Sequence, residues 1–176
     1  MRLLVVFAAA ILLGVALVAW CVRSQMLVVA RGRAAIDEFH RSYDAGDDLA
    51  IYDGSHPILR QGLTADDALL RLSEVRARLG NVVSMSYSCH THVSGPPPDT
   101  LRVEYLVTFE GGSAWETYDW ALEGDATRLL AYAVETGFED GEPDWEVALA
   151  PRGVRPNATT CADGEGAQVH WWEWIR

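Results

Sequence analysis

Between Arg2 and Arg23 lies an uncharged run of twenty residues, Leu3 to Val22, interrupted only by Gly14. As a helix rising about 1.5 Å per residue it spans about 30 Å, the thickness of a bilayer's hydrocarbon core. Trp20 falls near one end, at the depth where indole rings favour the membrane interface. A core helix of this length in a soluble protein is rarely apolar on every face. Residues 1–23 are therefore read as an N-terminal signal-anchor, a single transmembrane helix.

Two other targeting readings stay open beside it. A cleaved signal peptide needs small residues before the scissile bond, and Val28-Val29-Ala30 could serve, but it lies beyond Arg23. A lipoprotein would be acylated on a cysteine near the position of Cys21, where the preceding residue is normally small and here is Trp20. For orientation, Arg23, Arg31 and Arg33 argue for a cytoplasmic body, but the positive-inside rule weakens for long translocated domains. Cysteine use argues the opposite. With Cys21 in the membrane, Cys89 and Cys161 remain as an even pair in a small domain, which suits an oxidising compartment. The expectation is a cell-membrane protein whose soluble domain is extracytoplasmic, with a Cys89–Cys161 disulfide.

The chain's 176 residues leave room for one modest domain beyond the anchor. All twenty-five acids and twelve of the fourteen arginines lie beyond Arg23, and lysine is absent. So acidic a surface repels phosphates, which excludes a nucleic-acid partner and disfavours anionic lipid headgroups.

Ile36, Phe39, His40 and Tyr43 recur at helical spacing, and Asp44-Ala45-Gly46-Asp47 ends that helix. Leu49 to Gly62 is rich in turn residues, with Gly54 and Pro57 as punctuation. Thr64 and Asp67 form a capping-box pattern that opens a helix buried through Leu69, Leu72, Val75 and Leu79 and closed by Gly80. Glu74 and Arg78 are spaced for a surface ion pair.

The period then shifts to two. Val83, Met85, Tyr87 and Cys89 alternate with serines, and Leu101 to Phe109 alternates apolar with polar residues, Leu106 being the misfit. Between them Ser94 to Asp99 is a proline-rich loop. Gly111-Gly112 and Gly124-Asp125 turn the chain into strands near Ala114–Leu122 and Leu129–Val134. Two or three helices followed by an antiparallel meander make an α+β domain over residues 24–136, with one wet sheet face. Residues 137–176 form a Trp-rich extension. Trp145, Val147 and Leu149 suggest a short strand, and Trp171, Trp172 and Trp174 should fold back onto the domain.

Tyr43-Asp44-Ala45-Gly46-Asp47, Arg76 through Leu79-Gly80-Asn81-Val82, the strand Val103–Phe109 and Tyr132 carry a family resemblance. Over roughly residues 34–135 the chain resembles small secreted bacterial domains of unknown function in the cystatin-like, nuclear-transport-factor-2-like superfamily. The resemblance implies a cone-like fold, in which a curved sheet wraps a long helix around a conical pocket. Members include isomerases and dehydratases as well as pure binding and dimerisation modules, so the fold assigns no activity. The Trp-rich extension is outside this pattern and could cover or fill the pocket mouth.

Cys89-His90-Thr91-His92 is the most metal-like stretch, but on a strand Cys89 points away from the two histidines, and no second ligand pair has zinc spacing. No metal and no cofactor are expected. An isomerase- or hydratase-type site would need a pocket carboxylate or histidine, for which Asp119 and His40 are the candidates. Alternation sets Asp119 on the face opposite Tyr118 and Trp120. The expectation is a non-catalytic domain that binds a small apolar ligand or a protein partner, with Tyr43, Tyr105 and Trp120 lining the pocket. Self-association into a homodimer through the open sheet face stays open.

Overall fold

A computed structural model describes residues 2–93, 98–137 and 145–151 of the chain. Four helices, α1 (Arg2–Ala45), α2 (Asp48–Gly54), α3 (Pro57–Gly62) and α4 (Ala65–Leu79), precede the strands. These are β1 (Val82–Val93), β2 (Asp99–Phe109), β3 (Gly112–Glu123), β4 (Ala126–Thr136) and β5 (Trp145–Leu149). The strands form one antiparallel sheet in the order β1-β2-β3-β4-β5, an open meander with β1 and β5 at its edges. The architecture is α+β.

α1 is a single helix of 44 residues, so the apolar rod and the first helix of the domain are continuous. It is long and apolar enough to cross a membrane, and its most apolar described window is not buried by the rest of the chain. Its last turns bury the expected stripe of Ile36, Phe39, His40 and Tyr43. α1 lies along β2. Gly32 sits against Leu101, where a Cβ would come within 2.5 Å of Cδ2. Three turns on, the rings of Tyr43 and Phe109 meet at 6.3 Å.

The stretch expected as turns contains two short helices. His56 caps α3 by accepting the Ile58 N–H on Nδ1, and Pro57 occupies the first turn, where its missing N–H costs nothing. Thr64 caps α4 as its sequence implies, accepting the Asp67 N–H at 3.2 Å. Ala68, Leu72, Val75 and Leu79 form the buried face of α4, while Leu69 is only half-buried. Glu74 and Arg78 converge on Trp145 rather than on each other. The guanidinium lies 4.6 Å above the indole ring, whose N–H points to Glu74 at 3.4 Å.

Two expectations about the sheet change. β1 carries irregularities between Val82 and Ser84 and between Tyr87 and Cys89, so its alternation is not uniform. Val83, Met85 and Tyr87 remain exposed on this edge strand. The polar face of the meander, read as wet, is buried: Arg102, Glu104, Thr117, Asp119 and Glu135 are almost fully shielded. Arg102 and Asp119, cross-strand partners on β2 and β3, satisfy one another there through two bonds of 2.7 and 2.8 Å. The expected packing of Trp171, Trp172 and Trp174 falls outside the described residues.

Candidate functional site

On the helix-facing side of the sheet, strand alternation brings Glu116, Tyr118 and Trp120 of β3 to one face, with Tyr132 of β4 directly across from Tyr118. α1 lays His40 over them. The Glu116 carboxylate gathers the polar atoms. Its Oε1 accepts the Tyr132 hydroxyl at 2.6 Å, and its Oε2 accepts Tyr118 at 2.6 Å and His40 Nε2–H at 2.8 Å. The Tyr118 hydroxyl also lies 2.7 Å from His40 Nε2. His40 Nδ1 is buried without a partner among the described residues.

The electrostatics follow from that geometry. Burial by itself lowers the His40 pKa, but the charge and hydrogen bond of Glu116, supported by Asp44 and Asp37, outweigh it and raise the value above the ordinary one. Burial first, and Glu116 second, push both Tyr118 and Tyr132 well above the usual phenol range. The tyrosines therefore remain donors and the cluster is held around one carboxylate.

Glu116, Tyr118, Tyr132 and His40 are all buried. Phe39 packs edge-on against Tyr118 at 5.3 Å and tilted against Tyr132 at 4.8 Å. Trp120 stacks on Tyr118. Phe39 and Trp120 also line an open cleft of about 210 Å³ between α1, α2 and the β3–β4 hairpin. Ala35, Ala50, Ile51 and Leu129 complete its apolar lining, and Glu38, Ser42 and Thr127 supply its polar groups. The Trp120 indole N–H is buried and finds no acceptor among the described residues.

The expected pocket residues do not converge. Only Trp120 reaches the cleft. Tyr105 pairs with Glu116 on β3, whereas Trp120 pairs with Leu101, so the two are offset by four residues, about 13 Å along the strands. Tyr105 packs edge-on to Tyr87, and Tyr43 lies at the other end of β2, donating its hydroxyl to the Gly80 carbonyl at 3.1 Å. Both belong to the core. The two alternative catalytic residues lie on opposite faces of the sheet: Asp119 is tied to Arg102, His40 to Glu116. They cannot act on one substrate.

Glu116 was the residue sequence reasoning passed over. The alternation that puts Tyr118 and Trp120 inside puts Glu116 inside as well, and an acid in phase with the dry face of a strand was the available signal.

In Cys89-His90-Thr91-His92, the β1 irregularity leaves His90 and His92 opposite Val103 and Leu101, and Cys89 opposite Glu104. Cys89 is disulfide-bonded, and Cys161 lies outside the described residues. Among the described residues no three His, Cys, Asp or Glu side chains gather into a metal site. Comparison with known proteins gives no matching family model and no similar curated protein.

Proposed function

We propose that this chain is a membrane-anchored, extracytoplasmic, non-catalytic domain that holds a small apolar ligand in the cleft bounded by Phe39, Ile51, Trp120 and Leu129. The observation that carries the proposal is the cleft's wall of aromatic and aliphatic side chains, Phe39, Ile51, Trp120 and Leu129, with Glu38, Ser42 and Thr127 as its few polar groups. Such a site favours a small apolar body oriented by one polar group. A cavity of about 150 Å³ in another protein admits benzene, so a single aromatic ring is the appropriate scale. In this reading α1 and the open sheet form a cone-like fold of the cystatin-like, nuclear-transport-factor-2-like kind, with the cleft as its mouth. The anchor reading rests on the length and apolarity of α1. The disulfide at Cys89 favours an oxidising compartment.

A second reading, an isomerase- or hydratase-type enzyme, draws on the Glu116 carboxylate with two phenols in hydrogen-bond reach. Against it, Phe39 and Trp120 separate that carboxylate from the cleft, and all its donors are already engaged within the protein. Saturation-transfer NMR with phenol and indole, on the full chain in lipid nanodiscs, tests the binding reading. Saturation should disappear in Ala50→Trp, which fills the cleft. Equal saturation in both proteins would refute it.

A further inference from the structure

A second concavity, of about 490 Å³, runs between α1 and β1, and its lining is ordered along the helix. Nearest the anchor come Met26, Val29 and Ala30, then Arg33, and one turn further Asp37, with His90 of β1 facing them across the groove. Because α1 is continuous with the apolar rod, this order is also an order of distance from the bilayer. At about 1.5 Å per residue, Met26 lies about 6 Å and Arg33 about 16 Å beyond Val22. Apolar surface, a cation and an anion thus follow one another outward from the hydrocarbon edge.

Neither Arg33 nor Asp37 makes an ion pair or hydrogen bond among the described residues, and both are exposed. Met26 is 68% exposed although it lies past the charged boundary at Arg23. His90 engages the Tyr87 hydroxyl through Nδ1, which leaves Nε2 uncommitted among the described residues.

We infer that this groove holds one zwitterionic phospholipid drawn about 10 Å out of the adjacent leaflet, beyond its headgroup layer of about 5–7.5 Å, its acyl chain along Met26 and Val29, its phosphate at Arg33 and His90, and its ammonium at Asp37. The inference rests on the retained anchor of the proposed function and adds a lipid site separate from the apolar cleft. Charge favours this occupant over an anionic lipid. Asp37 stands one turn beyond the phosphate position, and the domain as a whole is acidic, so a headgroup ending in a cation is matched where a bare anion is repelled. A second copy of the chain is a poorer occupant at the neighbouring strand edge. α1 runs along β2, so antiparallel pairing of β1 with its copy would turn the two anchors in opposite directions.

The test is native mass spectrometry of the full chain in mild detergent, titrated with phosphatidylethanolamine or phosphatidylglycerol. The wild type should retain one phosphatidylethanolamine, with about a tenfold preference over phosphatidylglycerol, equivalent to about 1.4 kcal/mol. Asp37→Asn should erase the preference, Arg33→Gln should lose both lipids, and Asp53→Asn, exposed on α2 and outside both concavities, should change neither. A full-length wild type that retains no lipid, appears as a lipid-free dimer, or shows the same preference in Asp37→Asn overturns the site alone. The same spectrum reads the intact mass, so a chain shortened past Val22 overturns the anchor as well.

Discussion

Trp120 stacks on Tyr118 with ring centroids 5.9 Å apart and planes 9° from parallel, so the indole that lines the apolar cleft also roofs the phenol that closes the Glu116 cluster. One side of this ring pair faces a cleft and the other a buried carboxylate with all its donors in place. On the proposed function, that division leaves recognition to the cleft and stability to the cluster, and mutation can separate the two.

Glu116 is the point on which the cluster depends. Glu116→Ala removes the acceptor of Tyr118, Tyr132 and His40 together, leaving Tyr118 and His40 only each other and the Tyr132 hydroxyl stranded. Breaking a buried pair of this kind costs about 3–5 kcal/mol. Tyr132→Phe removes one hydrogen bond to the carboxylate, for about 1.5–3 kcal/mol. Urea denaturation of the full chain in nanodiscs, followed by near-UV circular dichroism, should rank the two variants in that order. Equal losses would mean that the cluster does not act through its carboxylate.

The same cluster sets a pH dependence. The His40 pKa is raised on folding, so the folded protein binds a proton more tightly than the unfolded chain. Its contribution is complete below the unfolded value of about 6.5 and disappears as pH rises through the higher folded value. Thermal melts across this range should show stability falling as pH rises, and His40→Gln should flatten that slope. A slope unchanged in His40→Gln would assign the dependence to another group.

How far the sequence discloses this arrangement depends on the range of the interaction involved. Capping at Thr64, the stop at Gly80 and the stripe from Ile36 to Tyr43 are local, and each is legible from spacing alone. The short helices α2 and α3 escaped because Gly54 and Pro57 read as turn punctuation, whereas Pro57 initiates a helix under the His56 cap. The site is less legible still. Tyr43, Tyr105 and Trp120 are each inward-facing aromatics, but alternation fixes only a face and not a position along the strand. Register separates Tyr105 from Trp120. Burial of Arg102 and Asp119 on the face read as wet is a tertiary effect that a period of two cannot carry.

That burial makes a third prediction. Asp119→Ala leaves the Arg102 guanidinium without its bidentate partner on a shielded face, for a loss of about 3–5 kcal/mol. Replacing both members with apolar residues, as in Arg102→Met with Asp119→Leu, should recover most of the loss, because a buried pair's desolvation penalty nearly offsets its attraction. The double-mutant cycle is read by denaturant midpoint. A double variant as unstable as Asp119→Ala would show that the pair contributes more than mutual neutralisation.

The last prediction concerns the join between α4 and the β2–β3 turn. Gly111 donates its N–H to the Leu79 carbonyl at 2.7 Å, and a Cβ on it would meet the Arg78 carbonyl oxygen at 2.8 Å and the Leu79 oxygen at 3.1 Å. These are backbone atoms at the end of a helix, so they cannot swing aside as a side chain would. Gly111→Ala must therefore push the turn away from α4, stretch that hydrogen bond and disturb the Tyr43–Gly80 contact beside it, for about 1–3 kcal/mol. Gly54→Ala is the contrasting case, since nothing lies within 4 Å of its added carbon and the substitution narrows only the unfolded ensemble. Thermal melts of the two variants should move in opposite directions from the wild type, Gly111→Ala downward and Gly54→Ala slightly upward. A Gly111→Ala melt at the wild-type temperature would show that the helix end and the turn are not held as closely as their backbone geometry requires.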